Sequence, residues 1–116
     1  MRKKYEKTKT LPSGIVVINH ANSKNEFDNY WVISSHSGKK NILHNEGAPA
    51  IEYKDGRKYW LQYGKYHRLD GPASLHLNEE GYWINGFCIA PTKYWEHPDV
   101  KAFKYLKEHP ELESFL

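Results

Sequence analysis

At 116 residues the chain holds one domain, large enough for a modest core and too short for two. Its 17 Lys and Arg against 14 Asp and Glu leave a net charge of +3, too mixed along the middle to read as the basic stripe of a nucleic-acid-binding body. No apolar run approaches the roughly 18–20 residues that span a bilayer, which excludes a membrane helix. No secretory leader pattern opens the chain, and the lone Cys88 rules out an internal disulfide, so a reducing, cytoplasmic setting is expected.

Arg2, Lys3, Lys4, Lys7 and Lys9 crowd the first ten residues. Residues 1–12 are read as a basic arm, a frayed and solvated terminus, with contact to phosphates or an acidic partner as the alternative. The β-branched run at 14–19, bounded by Pro12-Ser-Gly14 and an Asn-rich polar stretch at 21–29, reads as a strand. Tyr30-Trp-Val-Ile-Ser34 is a second strand, His36-Ser-Gly-Lys-Lys40 a turn, and 41–44 a short return.

A repeat follows. His44-Asn-Glu-Gly-Ala-Pro-Ala50 and His67-Arg-Leu-Asp-Gly-Pro-Ala73 are two copies of one phrase 23 residues apart, each followed by an aromatic pair, Tyr59-Trp60 and Tyr82-Trp83. A fixed short period with Gly, Pro and aromatics in recurring places marks stacked supersecondary units. Residues 49–53 and 58–63 flank Lys54-Asp-Gly-Arg57, where Asp-Gly is a strong hairpin signal because Gly supplies positive φ at low cost. Residues 72–77 and 81–85 form a second hairpin across Asn78-Glu-Glu80, and Gly86 turns the chain into 87–89, where Cys88 is expected buried and inert. Aligned on Pro-Ala, Ile51 and Tyr53 fall opposite Ser74 and His76, whereas Ala73, Leu75 and Leu77 make the apolar side of the second copy. A one-residue slip flips a strand's faces, so either a bulge absorbs it or the Gly47-Ala48 and Asp70-Gly71 steps differ in geometry.

Beyond Ala90 the pattern becomes helical. Val100, Phe103, Leu106 and Lys107 recur at helical spacing behind Pro98, predicting a helix over 99–108, with a short turn at 92–95 and one more turn over 111–115. The fold class expected is mainly β: an antiparallel hairpin meander over 13–90, capped by a helical segment at 91–116 that covers one sheet face.

The phrase His67-Arg-x-Asp-Gly-Pro-Ala73 followed by Tyr82-Trp-x-Asn-Gly86 resembles MORN-like repeats in the diverged form of small bacteriophage proteins. The second copy matches at every position; in the first, Asn45, Gly47 and Ala48 replace Arg, Asp and Gly, and Gln62-Tyr63-Gly64 replaces the x-Asn-Gly step with one extra residue. The resemblance covers about residues 42–90. It implies a hairpin stack used for contacts, no catalytic residues, and, through the phage association, a host-directed role such as inhibition of host defence.

The residues themselves point to a non-enzymatic binding protein with no cofactor. Tyr59, Trp60, Tyr82 and Trp83 alternate faces, so one set of rings lies under the helix and the other forms a platform for a protein hot spot or for bases. The competing expectation is that the N-terminal strands fold over that platform. Arg68, lacking a copy in the first repeat, is the polar residue expected to bind, while Asp70 serves the turn. His44 and His67 begin equivalent turns. Metal binding would need ligands at closer spacing than theirs, so a repeated structural task is expected, each ring stacking on a Trp and donating to a carbonyl. No phosphate loop, nucleophile elbow or zinc-protease motif is present. A nucleotide or nucleic-acid binder is the alternative function, a small metal-independent nuclease a third, and pairing between copies through a sheet edge is open.

Overall fold

A computed structural model of the chain describes residues 6–20, 27–34 and 41–115. The expected turn at 36–40, most of the Asn-rich loop and Arg2, Lys3 and Lys4 lie outside the described residues. The protein is mainly antiparallel sheet followed by a short helix, as the hairpin spacing predicts. Twelve strands are formed among the described residues: β1 (Glu6–Thr10), β2 (Val16–His20), β3 (Phe27–Ser34), β4 (Asn41–Leu43), β5 (Ile51–Tyr53), β6 (Lys58–Tyr59), β7 (Leu61–Gln62), β8 (Lys65–Tyr66), β9 (Ser74–His76), β10 (Glu79–Gly81), β11 (Trp83–Ile84) and β12 (Phe87–Cys88). The main sheet runs β1-β2-β3-β5-β6-β9-β10, with β4 also on β3, while β7-β8 and β11-β12 form two small ladders. Residues 6–10, expected within a solvated arm, are thus an edge strand paired with β2; alternation of Thr and Lys with one partner strand suits a sheet edge. Lys9 lies 4.5 Å from the Trp31 ring centre.

The repeat is a kinked two-stranded unit. Trp31, Trp60 and Tyr82 occupy the same place in three successive units. The Trp31 carbonyl accepts the His44 N–H and its N–H donates to the Ala50 carbonyl; Trp60 makes the same pair of bonds with His67 and Ala73. The Tyr82 carbonyl accepts the Ile89 N–H. Each seven-residue phrase is therefore an excursion between the two halves of a return strand, β4 to β5 and β8 to β9, pinned at both ends to one aromatic residue. Ala50 and Ala73, at the closing end, are fully buried.

This register settles the expected slip. Ile51 faces Tyr59 and Ser74 faces Gly81, so the two phrases keep one frame and no bulge intervenes at Pro-Ala. The second hairpin instead loses a residue at its tip. Tyr53 accepts from Gly56 and donates to Arg57, leaving a three-residue loop in which Gly56 has φ 100°. His76 pairs directly with Glu79 across Leu77-Asn78. The expected turn at 78–80 is therefore displaced, and Leu77 lies at its tip, 70% exposed, instead of on an apolar face. The aromatic pairs are offset as well: Trp60 corresponds to Tyr82, Tyr59 to Gly81, and Leu61 to Trp83.

The helical segment starts at α1 (Pro91–Tyr94), continues through α2 (Pro98–Glu108) and ends in a 3-10 turn (Pro110–Phe115). Pro98 occupies the first turn of α2, His97 Nδ1 accepts the Asp99 N–H, and Lys107 lies near the carboxyl end; each suits the unpaired groups and dipole of its helix end. Val100 and Tyr94 bury against Ile84, with Leu69, Tyr82 and Ile89 packed around them. This is the face that carries Tyr82, so the helices cover one side of the third unit.

Candidate functional site: two aromatic faces and a cleft

Side chains two apart in a strand share a face and neighbours oppose, so Trp60 and Tyr82 turn toward the helices while Tyr59 and Trp83 turn away. On the helix side, Tyr82, Tyr94 and Trp95 form a ring cluster with centres 4.7–5.9 Å apart. The Tyr94 hydroxyl stands 2.6 Å from the Arg68 carbonyl and 3.0 Å from that of Gly71, and accepts the Gly71 N–H. It binds α1 to the second seven-residue phrase. On the opposite side, Tyr53, Tyr59, Tyr66 and Trp83 make a continuous ladder with centres 5.8, 5.8 and 5.0 Å apart. All four are half-buried. Arg57 stacks on Tyr53 at 4.0 Å, the Tyr59 hydroxyl lies 2.7 Å from His76 Nδ1, and Trp83 Nε1 donates to Ser74 Oγ. Burial, with neighbouring tyrosines, pushes the Tyr66 phenol above its ordinary value.

Arg68 is engaged within the fold. Its guanidinium lies 3.9 Å from the Trp60 ring centre, donates to Asp70 Oδ1 at 2.8 Å and donates to the Pro72 carbonyl at 2.9 Å. The expectation that it has no counterpart fails on that last bond: Asn45, at the same place in the first phrase, donates to the Pro49 carbonyl at 3.0 Å. Two different side chains meet one need, the repeat proline's carbonyl, which a comparison of residue types cannot reveal.

The histidines share a task too, by a different bond from the one expected. His44 Nδ1 accepts the Tyr63 N–H at 2.9 Å, and His67 Nδ1 accepts the Asn85 N–H at 3.0 Å. Tyr63 and Asn85 each open a two-residue turn at positive φ before a glycine, so each imidazole anchors the next unit's turn. The ring proton must then lie on Nε2. In His44, fully buried, Nε2 meets Glu46 Oε2 at 2.9 Å and the ring abuts Tyr63, not a tryptophan. Burial raises the Glu46 carboxyl, but bonds from Ser13 and His44 outweigh it and hold the group below the usual carboxylate range. Burial pushes the His67 imidazole below its ordinary value, against a pull from nearby Asp99.

The two imidazoles do not converge, and no cluster of three His, Cys, Asp or Glu suited to a metal occurs among the described residues. Cys88, expected buried, is exposed on β12. Between the phrases and α2 lies a cleft of about 110 Å³ touching Trp60, His67 and Lys107. It adjoins a hollow of about 240 Å³ over Leu69, Trp95 and Phe103. Phe103, Lys107 and Trp95 were legible only as helix residues and Tyr53 only as a strand residue, while Tyr66 fell outside every expected element. The period-two spacing of tyrosines across the loop is the signal that could have joined them. Comparison with family models, with curated proteins and with solved structures yields no match. No helix among the described residues is long and apolar enough to cross a membrane.

Proposed function

We propose that the chain is a non-enzymatic binding protein that seats a protein partner on the ladder of Tyr53, Tyr59, Tyr66 and Trp83. The observation that carries this reading is the ladder's continuity: four half-exposed rings in edge or tilted contact make a rigid apolar strip. Aromatic side chains bring large contact area at small entropic cost, which is why they dominate interface hot spots. Charge around the strip is mixed, with Arg57 bound to Asp55 at 2.8 Å and Glu79 on the side of β10 that Gly81 shares with the ladder. A polyanion would meet carboxylates as often as cations there, so a protein surface fits better than a nucleic acid. On the MORN-like resemblance, that partner is a host protein met by a phage-encoded chain in the host cytoplasm.

Tyr53→Ser and Tyr66→Ser test it. Each is expected to leave the fold in place by far-ultraviolet circular dichroism and to remove a stoichiometric partner recovered from host extract. Retention of that partner by both folded variants would refute the ladder as the contact. Salt-sensitive binding of single-stranded RNA that these variants abolish would replace the protein partner with a nucleic acid.

A further inference from the structure

The two copies of the phrase differ at one chemically decisive place. In the first, the Nε2–H of His44 is met by the Glu46 carboxylate. In the second, Leu69 stands where Glu46 does, and it packs toward Tyr94 and Val100. His67 keeps its Nδ1 bond to the following turn, so its proton is likewise on Nε2, yet that N–H has no acceptor among the described residues. It is not sealed in: no partnerless side-chain polar atom is buried among the described residues, and His67 lines the cleft beside Trp60 and Lys107. The first copy carries its own carboxylate; the second has the donor and an open space.

We propose that the cleft beside His67 binds the carboxylate of a small organic acid, whose apolar body lies in the adjoining hollow over Leu69, Trp95 and Phe103. The carboxylate takes the place relative to His67 that Glu46 takes relative to His44, accepting from Nε2, with the Lys107 ammonium reaching it from α2. Lys107 and Lys104 line the hollow and make no ion pair among the described residues, whereas Lys101 is paired with Glu96. Asp70 also borders the cleft, but Arg68 already neutralises it. Asp99 is near enough to act on His67, so the imidazole N–H and Lys107, which both line the cleft, must hold the anion against its repulsion. The apolar hollow favours an acid with a hydrocarbon body over a bare anion, because removing that body from water supplies most of the affinity of small ligands.

Titration of the protein with 3-phenylpropionate, followed by the His67 ring nitrogen resonances, tests this. A saturable shift is expected, weaker by about tenfold for neutral 3-phenylpropionamide, which lacks the charge-assisted bond. Inorganic phosphate is expected to bind more weakly than the acid. Lys107→Met, at an exposed position, should weaken the acid several-fold with melting unchanged. Leu69→Glu should abolish the shift by supplying the carboxylate internally; should that variant not fold, the amide comparison and Lys107→Met still decide. Equal binding of acid and amide, phosphate matching the acid, or no saturable shift would each overturn the proposal. None of these results depends on whether the ladder on the opposite face binds a protein.

Discussion

The repeat's aromatic pairs look interchangeable, yet one glycine separates their roles. Gly81 occupies the place that Tyr59 holds in the preceding unit, and a Cβ built there would lie 2.6 Å from Trp83 Nε1 and collide with Ser74 Oγ as well. The missing side chain is what lets the Trp83 indole lean across β10 and bond Ser74 on β9, completing the ladder. Gly81→Ala is therefore expected to cost about 1–3 kcal/mol, as overpacking does, and to shift the Trp83 indole N–H resonance; a urea midpoint equal to the parent's would refute the packing argument. Arg68 allows a sharper comparison. Asn45 shows that an amide can serve the proline carbonyl, so Arg68→Asn should retain that bond while losing the Trp60 stack. Arg68→Ala loses both and should be less stable than Arg68→Asn by roughly 1 kcal/mol, the net worth of one such bond. Equal urea midpoints for the two variants would mean the carbonyl bond contributes nothing.

Among the elements, α2 was legible because its information is local: Pro98 at the start, Val100 and Phe103 at helical spacing, and Pro110 just past the end. The Asp55-Gly56 turn was legible for the same reason. The phrases were not, since Gly-Pro-Ala reads as the entry to a strand, whereas residues 44–50 and 67–73 form excursions held by bonds to Trp31 and Trp60 across the sheet. Those partners are distant in sequence and use backbone atoms, which leave no residue-type signature. The first ten residues misled in the opposite direction, because their lysines mask the alternation that makes β1 an edge strand. The junction between phrase and helix combines the packing of Leu69 on Tyr94 and Val100 with the polar contacts of one hydroxyl, that of Tyr94. Tyr94→Phe keeps the ring among Tyr82, Trp95 and Val100 but leaves the buried Gly71 N–H and the Arg68 carbonyl without it. Such orphaned groups cost about 1–3 kcal/mol. Hydrogen exchange should then quicken across residues 91–108 more than in β2 and β3; uniform acceleration would show that the helices do not open as a unit.

Taken whole, the molecule is a row of units, each held to the next by an imidazole that must stay neutral at Nδ1, because a backbone N–H already points at that nitrogen. This makes the stack sensitive to acid, in an order the site dictates. His67 titrates near 6.5 when unfolded, and burial lowers it in the folded chain. Below that pH the unfolded state binds more protons, so stability falls as pH falls. The contribution is complete above about 6.5 and drains away toward the lowered folded value. Glu46 follows the same sign at lower pH: bonds from Ser13 and His44 keep its folded carboxyl below the ordinary value of 4.5, so its share is intact above that pH and lost beneath it. The urea midpoint is expected to be level from pH 8 to 7, to decline from about 6.5, and to decline further below about 4.5. Asparagine at 67 can accept the Asn85 N–H without titrating, and His67→Asn should flatten the first decline while leaving the second. Glu46→Gln should do the reverse. A parent profile level between pH 7 and 5 would mean that the imidazole of the second phrase is as easily protonated in the fold as out of it, and that the turn it anchors does not depend on its neutral form.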